Sequence, residues 1–138
     1  RKLRKEGKSE IVVRAQNLEF NRKILEYGNF DLLVGIEQSS DVGRDKLKQI
    51  DSGMNHVLAR IAAKNKVAIG IDLASVRGKE KKEKALLIEK IIQNIKLCRK
   101  AKCEIRVLNW KDELDAKGFL LSLGMDTKSA GRAIQKYL

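Results

Sequence analysis

His56 is the one histidine in 138 residues, and it is where a search for chemistry starts. Histidine is the common general base near neutral pH. A base needs a nucleophile or a metal beside it. The chain carries neither a Gly-x-Ser-x-Gly elbow nor a catalytic cysteine signature. A hydrolase centre built on histidine ligands needs several of them, so no protein catalytic residue is assigned. One alternative is kept: a metal-dependent phosphoesterase using His56 with Asp72. At the start of a helix, after the polar run Asp51-Ser52-Gly53, His56 is also placed to meet a phosphate or a neighbouring loop. A purely structural role is equally open. Both glycine-rich phosphate-loop patterns are absent, which argues against a nucleotide-binding enzyme. Cys98 and Cys103 are five apart, with no CxxC pair and no second Cys/His cluster. No zinc site follows. Two reduced, buried thiols of a cytoplasmic protein are expected, although the spacing leaves a disulfide open. No metal and no cofactor is expected.

Charge is the stronger signal. Thirty Lys+Arg against 18 Asp+Glu give a net +12. A field of that sign favours polyanions: RNA, DNA or an anionic membrane surface. A solvated lysine-rich surface is the plain alternative. Membrane is disfavoured, since no apolar run approaches the roughly 20 residues that span a bilayer and no secretory signal pattern opens the chain. The excess is local. Between Val76 and Lys102 there are ten Lys/Arg against three Glu, more than half of the net charge. After the second strand, Arg44, Lys46 and Lys48 are offset by Asp41, Asp45 and Asp51, so that loop is no simple basic patch. With three Phe, two Tyr and one Trp, the chain is poorly equipped to stack a run of single-stranded bases. Recognition of backbone and shape, or binding of a protein, is expected instead.

Hydrophobic residues make up 43%, enough for one globular core. Short strands alternate with amphipathic helices. Strands are predicted at 10–14, 30–35, 67–73 and 104–109. Helices are predicted at 18–27 (cap Asn17, stop Gly28), from a Ser52 cap through Met54, Val57, Leu58, Ile61 and Ala62, and up to Lys102 with Ile88, Ile91, Ile92, Ile95 and Cys98 inward. Two more are predicted at 111–123 and, capped by Asp126, at 127–138. Alternation of this kind implies parallel strands with right-handed crossovers. The apolar third strand suits cover on both faces. Four such units make either a small open sheet or the C-terminal half of a (β/α)₈ barrel, a fold of about 250 residues. The opening residues look like the tail of a helix, so further βα units are expected upstream of Arg1. In α/β folds ligands gather beyond the C-terminal ends of strands, where Arg44 and Arg77-Lys79 are expected.

Several segments resemble a known family. Asp51-Ser52-Gly53-Met54-Asn55-His56-Val57-Leu58-Ala59-Arg60, with Gly43-Arg44 before it, resembles the signature segment of ribonuclease P protein component 3. Phe20-Asn21-Arg22, Phe30-Asp31-Leu32-Leu33, Val67-Ala68-Ile69 and Leu123-Gly124-Met125-Asp126 resemble its outer pieces. The chain departs from the pattern at Gly35-Ile36, in an insertion at Asp45 to Ile50, at Gly70 where a Glu is usual, and at Asn109-Trp110. The resemblance implies a TIM-barrel-like fold related to the PHP-type metal phosphoesterases without their metal-binding histidines, this chain covering its C-terminal part. It implies a subunit whose complex cleaves the 5′ leader from precursor tRNA, with the RNA as catalyst. The implied partners are the ribonuclease P RNA, a small RRM-like protein subunit, the other ribonuclease P proteins and, indirectly, precursor tRNA, but no membrane. Arg22, Arg44, Lys46, His56, Arg60, Arg77 and Lys79 are then the expected RNA contacts. A general RNA-binding structural protein is the remaining alternative.

Overall fold

A computed structural model describes residues 10–38 and 52–134. The elements run β1 (Val12–Arg14), α1 (Leu18–Tyr27), β2 (Leu32–Val34), a 3₁₀ turn (Ile36–Gln38), α2 (His56–Lys64), β3 (Ala68–Asp72), α3 (Leu73–Arg77), α4 (Lys81–Ala101), β4 (Ile105–Leu108), α5 (Glu113–Ser122) and α6 (Thr127–Ala133). The four strands form one parallel sheet in the order β1-β2-β3-β4. The predicted alternation and the parallel sheet are both found. The segment around Arg44 and Lys46 lies outside the described residues.

Local chemistry explains most boundaries. Asn17 caps α1 by accepting from the Phe20 N–H at 2.7 Å, and Gly28 ends the helix at φ +69°. The cap of α2 is Asn55 rather than Ser52; its Oδ1 accepts from the Leu58 N–H at 2.9 Å. Gly53 stands at φ +82°, off the helical path, so no helix can run from Ser52. Ser52 is buried instead. The inward face of α2 is Leu58, Ala59 and Ala62, and Val57 is exposed. Strand β3 stops at Asp72 because the Asp72 carboxylate accepts from Ala74 N–H and starts α3, a helix the apolar pattern hid. On α4 the predicted Ile91, Ile95 and Cys98 are buried together with Leu87 and Asn94, while Ile88 and Ile92 flank them half-buried. Helix α5 begins at Glu113, where Asp112 accepts from the Asp115 N–H. Asp126 caps α6 as predicted.

The two sheet faces differ. Leu33, Ile69, Ile71, Ile105 and Val107 point into one core shared with Leu25 of α1, Leu58 and Ala62 of α2, Ile91 and Ile95 of α4, Leu120 of α5 and Ala130 of α6. All six described helices contribute to that core, and β3 is buried from Ala68 to Ile71, on both of its faces as expected. The opposite face carries Leu32, Val34 and Ala68, packed against Leu108. It is a tight surface: a Cβ on Gly70 would stand 2.8 Å from Val34 Cγ2. Only glycine fits there. Over this face Arg106 of β4 reaches Glu10, ahead of β1, with Nη1 to Oε2 at 2.6 Å. The outer strands are three spacings of about 4.8 Å apart along a flat sheet. Glu10 and Arg106 are long side chains, and their contact ties the β4 edge to the residues ahead of β1. Cys98 and Cys103 are both buried and unbridged, joined by the Cys103 N–H to Cys98 carbonyl bond at 2.8 Å that closes α4. The Cys98 thiol is pushed upward by its hydrogen bond with Cys103 and by burial.

Candidate nucleic-acid interface

The strands end at Arg14, Val34, Asp72 and Leu108, and polar residues collect just beyond them. After β2 the chain turns through Gly35 at φ +86° into the 3₁₀ turn. The left-handed turn leaves room for Arg14, whose guanidinium carbon lies 3.5 Å from where a Gly35 Cβ would be. Glu37 follows, only 4% exposed. Burial pushes its carboxyl above the usual range. Its own backbone N–H, Gln38 and the Arg14 charge oppose that shift, and Asp72 adds to it.

The ends of β3 and β4 are tied together. Asn109 stands in the left-handed region at φ +61°, and its side-chain amide donates to Asp72 Oδ1 at 2.8 Å. Its carbonyl accepts from Arg77 Nη2 at 3.0 Å. Asp72 thus serves Asn109, the Ala74 N–H and, at 3.4 Å, the Ser75 hydroxyl. An aspartate so engaged is a structural hub. Among the described residues no group of three or more His, Cys, Asp or Glu is placed to hold a metal, and no helix is long and apolar enough to cross a membrane.

The expected contact residues among those described fall in three places. Arg77 is on the strand-end cluster. Lys79 rims an open recess of about 240 Å³ beside it, with Glu37, Gln38, Glu83 and Lys90. His56 and Arg60 are one turn apart on α2, both exposed. Arg22 lies on the outer face of α1, where its Nε is bound to Glu26 at 3.1 Å. Nothing joins His56 to Asp72. Arg14 and Glu37 carry no functional signal in the sequence, and Asn109 stands out only as a departure from the family pattern. Glu37 reads as a loop residue there, and only the contact of Arg77 with Asn109 reveals the latter's role. Trp110, the residue after Asn109, was noted only as a departure from the family pattern.

The chain is similar to several known proteins. No family model matches the chain. Ribonuclease P protein component 3 of Methanothermobacter thermautotrophicus is 38% identical over 90 residues, covering 65% of this chain and 33% of that protein. The Methanocaldococcus jannaschii protein of that name is 31% identical over 90 residues, 65% of this chain and 35% of the relative. The Methanococcus vannielii protein is 24% identical over 120 residues, 82% and 48% respectively. Among solved structures, a chain of an archaeal ribonuclease P with mature tRNA, determined by cryo-EM, matches with a TM-score of 0.74 and 27% identity, over 96% of this chain and 55% of that one. The chain spans about half the length of the first of the relatives it matches, 47% in the Methanococcus maripaludis case. The chain is a homologue of ribonuclease P protein component 3 over about half of that protein's length.

Proposed function

We propose that the chain serves as a protein subunit of ribonuclease P, supporting the catalytic RNA in removal of the 5′ leader from precursor tRNA, without an active site of its own. The observation that carries this is the fold likeness over 96% of the chain to a component of an archaeal ribonuclease P structure. A net charge of +12 supports a polyanionic partner. In this reading Arg22, Arg44, Lys46, His56, Arg60, Arg77 and Lys79 face RNA. A small RRM-like subunit and the other ribonuclease P proteins share the assembly, precursor tRNA is met indirectly, and the site of action is the cytoplasm. The sheet forms part of a PHP-like (β/α) barrel. The packing of all the described helices on one face, and the Glu10–Arg106 bridge on the other, support that reading.

Reconstitution tests the proposal. The ribonuclease P RNA and the remaining protein subunits are assayed for precursor-tRNA cleavage with and without the chain. Cleavage that depends on the chain, with none from the chain alone, is expected. Metal-dependent phosphoester turnover by the chain alone, lost in His56→Ala, would replace this reading with the phosphoesterase. Cleavage indifferent to the chain would leave a general RNA-binding protein.

A further inference from the structure

Two turns at the N-terminal end of the sheet have the same build. Helix α2 gives way to β3 through Lys64-Asn65-Lys66, and α4 to β4 through Lys100-Ala101-Lys102. The first turn closes with the Lys66 N–H on the Ala63 carbonyl at 3.2 Å and the Val67 N–H on the Ala62 carbonyl at 2.9 Å. The second closes with the Lys102 N–H on the Arg99 carbonyl at 3.2 Å and the Cys103 N–H on the Cys98 carbonyl at 2.8 Å. Lys66 stands at φ +59° and Lys102 at φ +61°. The Asn65 amide donates to the Leu25 carbonyl at 2.7 Å and pins the first turn to α1. Ile69 pairs with Ile105 in the sheet, and the same register makes Lys64 equivalent to Lys100 and Lys66 to Lys102. Neighbouring strands lie about 4.8 Å apart, so the four lysines share one rim. All four are exposed. Among the described residues none of their ammonium groups is in an ion pair. Two acids at this end, Glu26 and Glu104, are engaged with Arg22 at 3.1 Å and Arg106 at 3.7 Å.

A cation in the last turn of a helix suits the helix dipole, and that accounts for Lys64 and Lys100. It does not account for Lys66 and Lys102. Each holds the left-handed position just after a helix, which glycine fills without strain and lysine does not. Strain kept at two equivalent positions points to use. We infer that the two turns form one clamp for the phosphate backbone of RNA, with Lys64 and Lys66 on one side and Lys100 and Lys102 on the other. The partner is RNA because the ribonuclease P role requires one, and the clamp rests on that role. Four unneutralised charges on one rim repel each other, and a polyanion relieves the repulsion. Protein interfaces are poor in lysine and rich in aromatic residues and arginine, so the composition of the rim favours a nucleic acid. The four side chains offer no ring to a base, so phosphates are met and sequence is not read. The strand-end cluster of Arg77 and Asn109 lies at the opposite end of the sheet, which makes the clamp a separate surface. His56, Arg60 and Lys64 follow one another at four-residue steps along α2, all exposed, and lead to it.

The test is the salt dependence of binding between the full chain and an end-labelled RNA duplex of about 16 base pairs, followed by anisotropy across 50–200 mM salt. The double change Lys66→Gly and Lys102→Gly should flatten the slope by roughly 1.8, for two lost duplex phosphate contacts. The same variant should melt a few degrees higher, because glycine takes the left-handed position without strain. A gain in stability with a loss in binding is not what a purely structural role gives. A second pair, Lys64→Gln with Lys100→Gln, leaves the left-handed turns untouched and should lose the same slope. Lys111→Gln with Lys128→Gln removes two exposed lysines of the β4–α5 link and α6 and should leave the slope at the parent's value. Either rim pair at the parent's slope, equal losses from rim and control pairs, or no duplex binding by the parent would overturn the clamp. So would rim variants that keep their RNA slope and lose affinity for the ribonuclease P protein subunits, which would assign the turns to a protein. A chain needed for precursor cleavage whose rim variants keep the parent's slope loses the clamp and keeps the subunit role. A chain dispensable for cleavage whose rim variants lose slope keeps the clamp and loses the subunit role.

Discussion

Arg106 and Glu10 come from the neighbourhoods of opposite sheet edges and meet at 2.6 Å on the face away from the described helices. Their side chains are 13% and 25% exposed, so the pair is partly shielded. Arg106 also lies 3.7 Å from Glu104. Breaking a fully buried pair costs about 3–5 kcal/mol. Arg106→Ala should cost less, about 2–3 kcal/mol, because Glu10 keeps some contact with water. Glu10→Gln retains an acceptor and should cost about 1 kcal/mol. Urea midpoints at constant slope measure both. Equal, near-zero losses would mean that the bridge does not hold the two ends of the sheet together.

Gly70 and Gly118 make a matched pair of opposite sign. A methyl on Gly70 would meet Val34 and Leu32 at 2.8 and 3.2 Å, on a face with no slack. Gly70→Ala should therefore destabilise by about 1–3 kcal/mol, the usual cost of overpacking. Gly118 lies inside α5 with nothing within 4 Å of its Cβ position. Gly118→Ala should stabilise by about 0.5–1 kcal/mol through helix propensity alone. Thermal melts of the two variants should move in opposite directions.

The buried Glu37 sets a pH dependence. Its folded pKa is raised above the ordinary 4.5, by burial first. Below pH 4.5 both folded and unfolded states hold the proton, and the group is silent. Above it the unfolded state loses the proton first, so stability falls as pH rises towards the folded pKa. Glu37→Gln removes that penalty without changing shape. The variant should gain on the parent as pH rises from 4.5 to neutrality and match it in acid. Denaturant titrations at pH 4, 5.5 and 7 would show it; a constant gap would mean that the carboxyl is already charged in the fold.

How much of this was readable depended on the range of the signal. Asn17, Gly28 and Asp126 act within three or four residues, and their helix ends were legible. The apolar run of β3 was legible as a strand, but Leu73 extended the pattern by one residue because a carboxylate cap at Asp72 carries no hydropathy. Ser52 and Asn55 are both good caps, and only the positive φ of Gly53 decides between them. Glu37 could not be read at all. A glutamate among Gly35, Ile36 and Gln38 looks solvated until Arg14 and Asp72 are seen around it. Asn109 is the same case: its partners are 32 and 37 residues away. Of the residues bearing the family resemblance, Phe20-Asn21-Arg22 lies on α1, Leu32-Leu33 on β2, His56 to Arg60 on α2 and Ala68-Ile69 on β3, whereas Arg77 holds part of the fold as well as carrying charge.

That double duty separates the basic residues. Arg60 is exposed on α2, one turn from His56. Arg22 already faces Glu26, at 3.1 Å, with both side chains half exposed. A neutralised cation releases fewer counterions from RNA than a free one. Arg60→Ala should therefore flatten the salt dependence of RNA binding by roughly one unit, and Arg22→Ala by clearly less. Arg77 needs two variants, since its guanidinium also holds the Asn109 carbonyl. Arg77→Lys keeps the charge and loses the forked geometry, so its slope should stay near the parent's while its melting temperature falls. Arg77→Ala should lose both. Slopes measured by filter binding across 50–200 mM salt decide the order. An Arg22→Ala slope as shallow as that of Arg60→Ala would show that Glu26 releases Arg22 on contact with RNA.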